Sequence, residues 1–112
     1  MSEIVKAIGQ RIRKYRNKLG LSQEALAEYA GCHATYIGQI ERGEKNATLE
    51  TVEKIAAALH VPLAQLFEHL EGADESGRNL PLECYELLLS KGKEEQEMLY
   101  RILLSIEQYK ND

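Results

Sequence analysis

The stretch "SQEALAEYAGCHATYIGQIERG" constrains this chain more than any other part of it. Two short helices that cross at a steep angle through a three- to four-residue turn make narrow demands on sequence. A small residue is needed where the helices approach, and Ala27 supplies it. A residue free to take positive φ is needed at the turn, and Gly31 stands four positions later. An apolar residue is needed on the inner face of the second helix, and Ile37 follows six positions after the glycine. Leu26, Ala30, Cys32 and Ile40 complete a buried side. Three matching positions alone are common by chance; the whole pattern, flanked by further helices, is not.

Those flanking helices are legible from apolar spacing. Ile4, Val5, Ile8, Ile12, Tyr15 and Leu19 fall in steps of three and four and predict a helix over 3–19, stopped by Gly20. Ser22 is a good N-cap for a second helix at 23–30, with Glu24 in its first turn against the helix dipole and Leu26, Tyr29 and Ala30 available for packing. Gly31 stops it. A third helix is expected at 33–42 and ends at Gly43. Thr48 caps a fourth at 49–59, whose apolar face is Leu49, Val52, Ile55, Ala56 and Leu59. Pro62 suits the first turn of a short fifth, with Leu63, Leu66 and Phe67 facing inward. No strand-like alternation appears. The fold class is therefore all-α, with residues 1–70 as one domain.

Residues 71–79, "EGADESGRN", read as a linker. Beyond it, residues 80–112 read as a helical hairpin. Pro81 opens one helix with Leu82, Tyr85, Leu88 and Leu89, and Gly92 breaks it. A last helix at about 93–110 carries Met98, Leu99, Ile102, Leu103, Ile106 and Tyr109 on one stripe. Two short helices cannot bury both stripes by themselves. Three outcomes are open: self-association into a homodimer, which we favour; cover for the first domain as extra core; or docking of a different protein, such as an antirepressor or a toxin.

The net charge of −4 argues at first against a polyanionic partner. Its distribution removes the objection. Residues 1–70 balance to +1, residues 71–112 to −5, and Lys6, Arg11, Arg13, Lys14, Arg16 and Lys18 form a run with no acid between them. A local basic face matters more to phosphate than the total charge, although such a run is equally readable as a solvated helix face. Cys32 and Cys84 lie too far apart to suggest a disulfide framework, and Cys32 falls at an apolar position, where a thiol packs as a small hydrophobe. His33, His60 and His69 have no partner at metal-ligand spacing, so no metal is expected. Nor is there a nucleophile–base set or a glycine-rich phosphate loop, so neither an enzyme nor a cofactor is expected. The start "MSEIVKAIGQ" has no signal-peptide core and no stretch reaches a membrane span, which points to the cytoplasm, at the nucleoid.

The stretch 11–67 resembles the phage Cro/repressor-type helix-turn-helix family, also called the xenobiotic-response-element family. The resemblance rests on "IRKYRNKLGLSQEALAEYAG", "YIGQIERGEKNATLETVEKIAAAL" and "VPLAQLF"; residues 71–112 lie outside it. It implies a five-helix, lambda-repressor-like bundle whose third helix enters the major groove of double-stranded DNA. The base-facing positions are then His33, Ala34, Thr35, Gly38 and Gln39. Gln39 suits adenine, and Ala34 and Thr35 suit a thymine methyl. Phosphate contacts are expected from Ser22 and Gln23 at the start of the second helix and from Tyr36, Arg42, Lys45, Asn46 and Thr48. Arg11 and Lys14 are expected to add longer-range attraction. The resemblance also implies a partly buried ion pair between Arg16 and Glu41. Gly38 departs from good helix chemistry, since glycine inside a helix costs about 1 kcal/mol relative to alanine. Either its missing side chain permits closer approach to DNA or the position reads nothing. The implied function is that of a transcriptional regulator, a repressor acting as a homodimer on a palindromic operator. The alternative is an antitoxin-like or antirepressor-controlled component with autoregulatory DNA binding. Leu82, Tyr85, Leu88, Leu89, Leu99, Ile102, Leu103 and Ile106 are the candidate dimerisation residues.

Overall fold

The computed structural model describes residues 2–70 and 77–111, the side chain of Asn111 excepted. All regular structure among the described residues is helical. The order is α1 (Glu3–Lys18), α2 (Gln23–Ala30), α3 (Ala34–Glu41), α4 (Leu49–Ala58), α5 (Leu63–Phe67), α6 (Leu80–Leu89) and α7 (Lys93–Asn111). The chain divides into two compact units, Met1–Glu71 and Gly72–Asp112. The part of the expected linker at 71–76 lies outside the described residues.

In the first unit α1, α2 and α4 each begin where a side chain replaces a missing intrahelical acceptor. The hydroxyl oxygens of Ser2, Ser22 and Thr48 accept from the backbone N–H groups of Val5, Ala25 and Thr51 at 3.3, 3.0 and 3.1 Å. Gly31 ends α2 in the left-handed region, at φ 72° and ψ 36°. That turn lets the Cys32 N–H donate to Ala27 O at 2.9 Å and drops the chain straight into α3. Pro62 stands one residue before α5, as its cap, rather than in its first turn. His60 closes α4 with φ 60°, a conformation that non-glycine residues seldom take.

The core is one cluster. Ile12 and Tyr15 of α1, Leu26, Ala27 and Ala30 of α2, Ile37 and Ile40 of α3, Val52, Ile55 and Ala56 of α4, and Leu59 and Leu66 are all buried. Helices α2 and α3 pack on each other; α1 packs on α3 and α5, and α4 packs on α2 and α5. Cys32 is half-buried against this cluster, and burial raises its thiol pKa despite the opposing charge of Lys54.

Several residues expected on inward faces lie outside it, Ile4 and Leu19 at the ends of α1 among them. Leu49 is 73% exposed, because the first residue of α4 precedes the turns of the helix that reach the core. It instead rims an apolar cleft with Ile4, Val5, Ile8 and Phe67. Tyr29 is 70% exposed; Leu26, Ala27 and Ala30 fill the inner face of α2, and its ring borders a shallow groove with Leu19, Leu21 and His60. Leu63 and Phe67 are only partly covered, and Leu66 is the buried residue of α5.

Two further residues of α1 are structural in ways their sequence context does not disclose. Gly9 is buried, and a Cβ there would lie 2.9 Å from the Glu41 carbonyl oxygen and closer still to that of Ile40. Only glycine allows α1 to approach the end of α3 so closely. Arg11 is buried, not a solvated DNA-steering cation. Its guanidinium donates to the carbonyl oxygens of Gln65 at 3.2 Å, Leu66 at 3.3 Å and Glu68, capping the C-terminal end of α5.

In the second unit Asn79 caps α6, its Oδ1 accepting from the Leu82 N–H at 3.1 Å. Gln96 fixes the corner between α6 and α7 by donating to the carbonyl oxygens of Leu88 at 2.8 Å and Lys91 at 3.1 Å. Leu82 is buried and Tyr85, Leu88 and Leu99 partly so. By contrast Leu89, Met98, Ile102, Leu103, Ile106 and Tyr109 are exposed. No helix among the described residues is long and apolar enough to cross a membrane.

Candidate nucleic-acid interface

The start of α2 meets α3 at Gly38, where Gln23 and Arg42 lie side by side, and the loop at 42–48 follows directly on α3. The packing of α3 decides which of its residues face out. Ile37 and Ile40 point into the core, while His33 and Thr35 are exposed and Ala34, Tyr36 and Gln39 are half-buried. His33 precedes α3 as its cap residue but makes no side-chain capping bond. Thr35 and Gln39 are four residues apart, so they share one side of the helix a turn apart. Their side chains are a hydroxyl with a methyl and a primary amide, the groups that pair with base edges.

Gly38 does not stand open on this face. It is buried, and the space a Cβ would fill is ringed by the Nη1 of Arg42 at 3.0 Å and the amide Oε1 and Nε2 of Gln23 at 3.4 and 3.6 Å. The glycine thus gives two neighbouring polar side chains room to lie across α3.

Beneath this face sits an ion pair. Arg16 Nε donates to Glu41 Oε2 at 2.7 Å and Arg16 Nη2 to Glu41 Oε1 at 3.0 Å. The Glu41 side chain is only 2% exposed, and its hydrogen bonds raise the Arg16 guanidinium above its usual range. Arg16 Nη1 also donates to Leu21 O at 2.8 Å, and Gln23 Nε2 donates to Glu41 Oε1 at 3.1 Å. The pair therefore joins α1 to α3, holds the turn before α2, and tethers Gln23. Neither charge is available to an outside ligand.

The remaining expected phosphate residues divide by what already engages them. The Ser22 hydroxyl accepts from Ala25 N–H, and its own proton remains a donor at the positive end of α2. Thr48 caps α4 and also donates to the Thr51 hydroxyl at 3.0 Å, so its hydroxyl is spent inside the fold. Lys45 and Asn46 are exposed. Arg42 carries a partner that its sequence neighbourhood conceals. Its Nε and Nη2 donate to Glu44 Oε2 at 2.7 Å and Oε1 at 3.2 Å across the Gly43 turn. That contact pushes the Glu44 carboxyl below the usual carboxylate range and the Arg42 guanidinium up. An arginine two residues before a glutamate, with a glycine between, is the signal that could have found it.

Comparison with known proteins follows the same outline. The family described as Helix-turn-helix matches residues 12–66. The chain is 41% identical over 75 residues to control protein C.SmaI of Serratia marcescens, across 67% of this chain and 89% of that protein. It is 36% identical over 72 residues to the HTH-type transcriptional regulator SinR of Bacillus subtilis (strain 168), across 63% of this chain and 65% of SinR. Among solved structures, a point mutant of C.Esp1396I bound to its highest affinity operator site superposes with a TM-score of 0.58 at 33% identity, covering 62% of this chain and 92% of that one. About a third of the present chain lies beyond each of these matches.

Proposed function

This chain belongs to the Cro/C1-type helix-turn-helix family of DNA-binding transcriptional regulators, which are not enzymes, and from that premise we propose that it represses transcription in the cytoplasm as a homodimer on a palindromic operator. The observation that carries the reading is the uncommitted outer side of α3. Thr35 and Gln39 stand one turn apart there, on the helix whose Gly38 lies against the Gln23 amide at the start of α2. In this reading Gln39 pairs in bidentate fashion with an adenine, the Ala34 and Thr35 methyls meet a thymine methyl, and His33 lies at the edge of the groove. Ser22, Gln23, Tyr36, Arg42, Lys45 and Asn46 hold the sugar–phosphate walls and so fix register without reading sequence.

One such module covers only about 600–1,000 Å² of interface, which favours two copies on half-sites roughly 34 Å apart. The second unit supports that arrangement. Leu99, Ile102, Ile106 and Tyr109 follow one another in steps of three, four and three, the spacing of a coiled-coil seam, and the last three are exposed in the single chain. A different protein on that stripe, an antirepressor or a toxin, is the second reading. It is favoured by the position of these residues beyond the two thirds of the chain shared with the relatives.

Selection of bound duplexes from a random pool tests the proposal. The expected result is an enriched inverted repeat with A·T pairs in each half-site and centres one helical turn apart. A pool that stays unenriched through successive rounds defeats the reading.

A further inference from the structure

We propose that Glu44 is an internal stand-in for a DNA phosphate: it holds the Arg42 guanidinium in the free protein and thereby sets how tightly the DNA backbone is bound. The inference rests on the DNA-binding function proposed above and adds to it a residue that opposes that binding.

The geometry is that of a phosphate complex. The two carboxylate oxygens of Glu44 take the Nε–H and an Nη2–H of Arg42 at 2.7 and 3.2 Å, the forked arrangement that phosphate oxygens also adopt with arginine. Both side chains are about half exposed, at 55% and 54%, so the pair lies on the surface and can open. The location is the proposed interface itself. Arg42 Nη1 and the Gln23 amide border the same point above Gly38, and Gln23 begins α2. A phosphate held at that helix start meets Arg42 at once.

Two other arginines of the first unit are already engaged. Arg11 is committed to the carbonyl groups that end α5, and Arg16 to Glu41. Arg42 is the guanidinium that the end of α3 offers to DNA. With Glu44 in place its charge is already neutralised, and an incoming phosphate meets a carboxylate beside it. Full engagement requires Glu44 to turn away. An exposed pair opens at small cost, so the brake is modest, and it acts on backbone contact whatever the base sequence.

The test is a double-mutant cycle in the full chain: wild type, Glu44→Gln, Arg42→Gln and the double variant. Each is measured by fluorescence anisotropy on the selected operator and on a mixed-sequence duplex across a salt series. Glu44→Gln should tighten binding to both duplexes by about three- to ten-fold at low salt and steepen the log affinity–log salt slope by about one. The gain should shrink to about twofold or less in the Arg42→Gln background. An equal gain in both backgrounds makes Glu44 merely a nearby negative charge and overturns the proposal. Weaker binding by Glu44→Gln makes it a support for Arg42 and overturns it as well.

If no variant binds any duplex, the DNA reading has failed, and the exchange is read without DNA. Inorganic phosphate, titrated while the Arg42 Nε–H resonance is followed, should shift that resonance at lower concentration in Glu44→Gln than in wild type. Identical responses refute the exchange.

Discussion

Removing the Glu41 carboxylate should be among the most damaging single changes available to the first unit. In Glu41→Ala three accepted hydrogen bonds disappear: two from Arg16 at 2.7 and 3.0 Å and one from Gln23 at 3.1 Å. The two from arginine are charge-assisted, worth about 1.5–3 kcal/mol each. What remains is a guanidinium 11% exposed, held by a single bond to Leu21 O. Breaking a buried pair in this way costs about 3–5 kcal/mol. Because the Arg16 side chain retains some access to water, we expect about 3–4 kcal/mol, toward the lower end of that range. A unit of this size carries roughly 3.5–10 kcal/mol in total, at about 0.05–0.15 kcal/mol per residue. The variant should therefore sit near its unfolding midpoint in mild denaturant. Arg16→Met combined with Glu41→Leu should cost less than Glu41→Ala alone, about 1–2 kcal/mol, because no charge is stranded and only Leu21 O and Gln23 lose partners. Urea unfolding of the full chain, followed by circular dichroism, reads both values. A loss below about 1 kcal/mol for Glu41→Ala, or a double variant as damaged as the single one, refutes the argument that a stranded buried charge dominates.

Three further outcomes follow from other parts of the molecule. Gly9→Ala should destabilise by about 3 kcal/mol or prevent folding, because its Cβ meets two backbone carbonyl groups that cannot step aside; a urea midpoint equal to wild type contradicts that packing. Ile102→Glu with Ile106→Glu, both exposed in the single chain, should leave the first unit folded and convert a dimer to a monomer by light scattering; a variant that remains dimeric removes α7 from the interface. Burial holds the Cys32 thiol pKa above its usual range, so at mildly alkaline pH it carries less thiolate and should react with iodoacetamide several-fold more slowly than a small free thiol; equal rates count against its packing.

Much of this architecture was legible because its signals are local. Ser22 and Thr48 cap the helices they precede, and Gly31 supplies the left-handed turn between α2 and α3. The steps of three and four in α1 and α4 select Ile12, Tyr15, Val52 and Ile55 as core. What escaped the sequence is non-local. Nothing near Gly9 says that α3 will pass against it, and Arg11 looks like any other member of its basic run until the end of α5 is placed beside it. The same holds for Leu49 and Tyr29, which keep the period of their helices but lie past the reach of the core. At the candidate interface, the family resemblance supplied the outward positions of α3, of which His33 and Thr35 are exposed and Gly38 is buried. The resemblance could not show that Gly38 makes room for Gln23 and Arg42, or that Thr48 spends its hydroxyl on capping.

The central claim is that the outer side of α3 reads DNA through Gln39. Its most direct test is the affinity of wild type and Gln39→Ala for the selected operator and for a scrambled duplex, at matched salt. The account predicts that wild type prefers the operator, that Gln39→Ala loses about 1–3 kcal/mol there, and that binding to the scrambled duplex is unchanged. A wild-type protein that binds both duplexes equally, or a Gln39→Ala variant that keeps full preference for the operator, contradicts it.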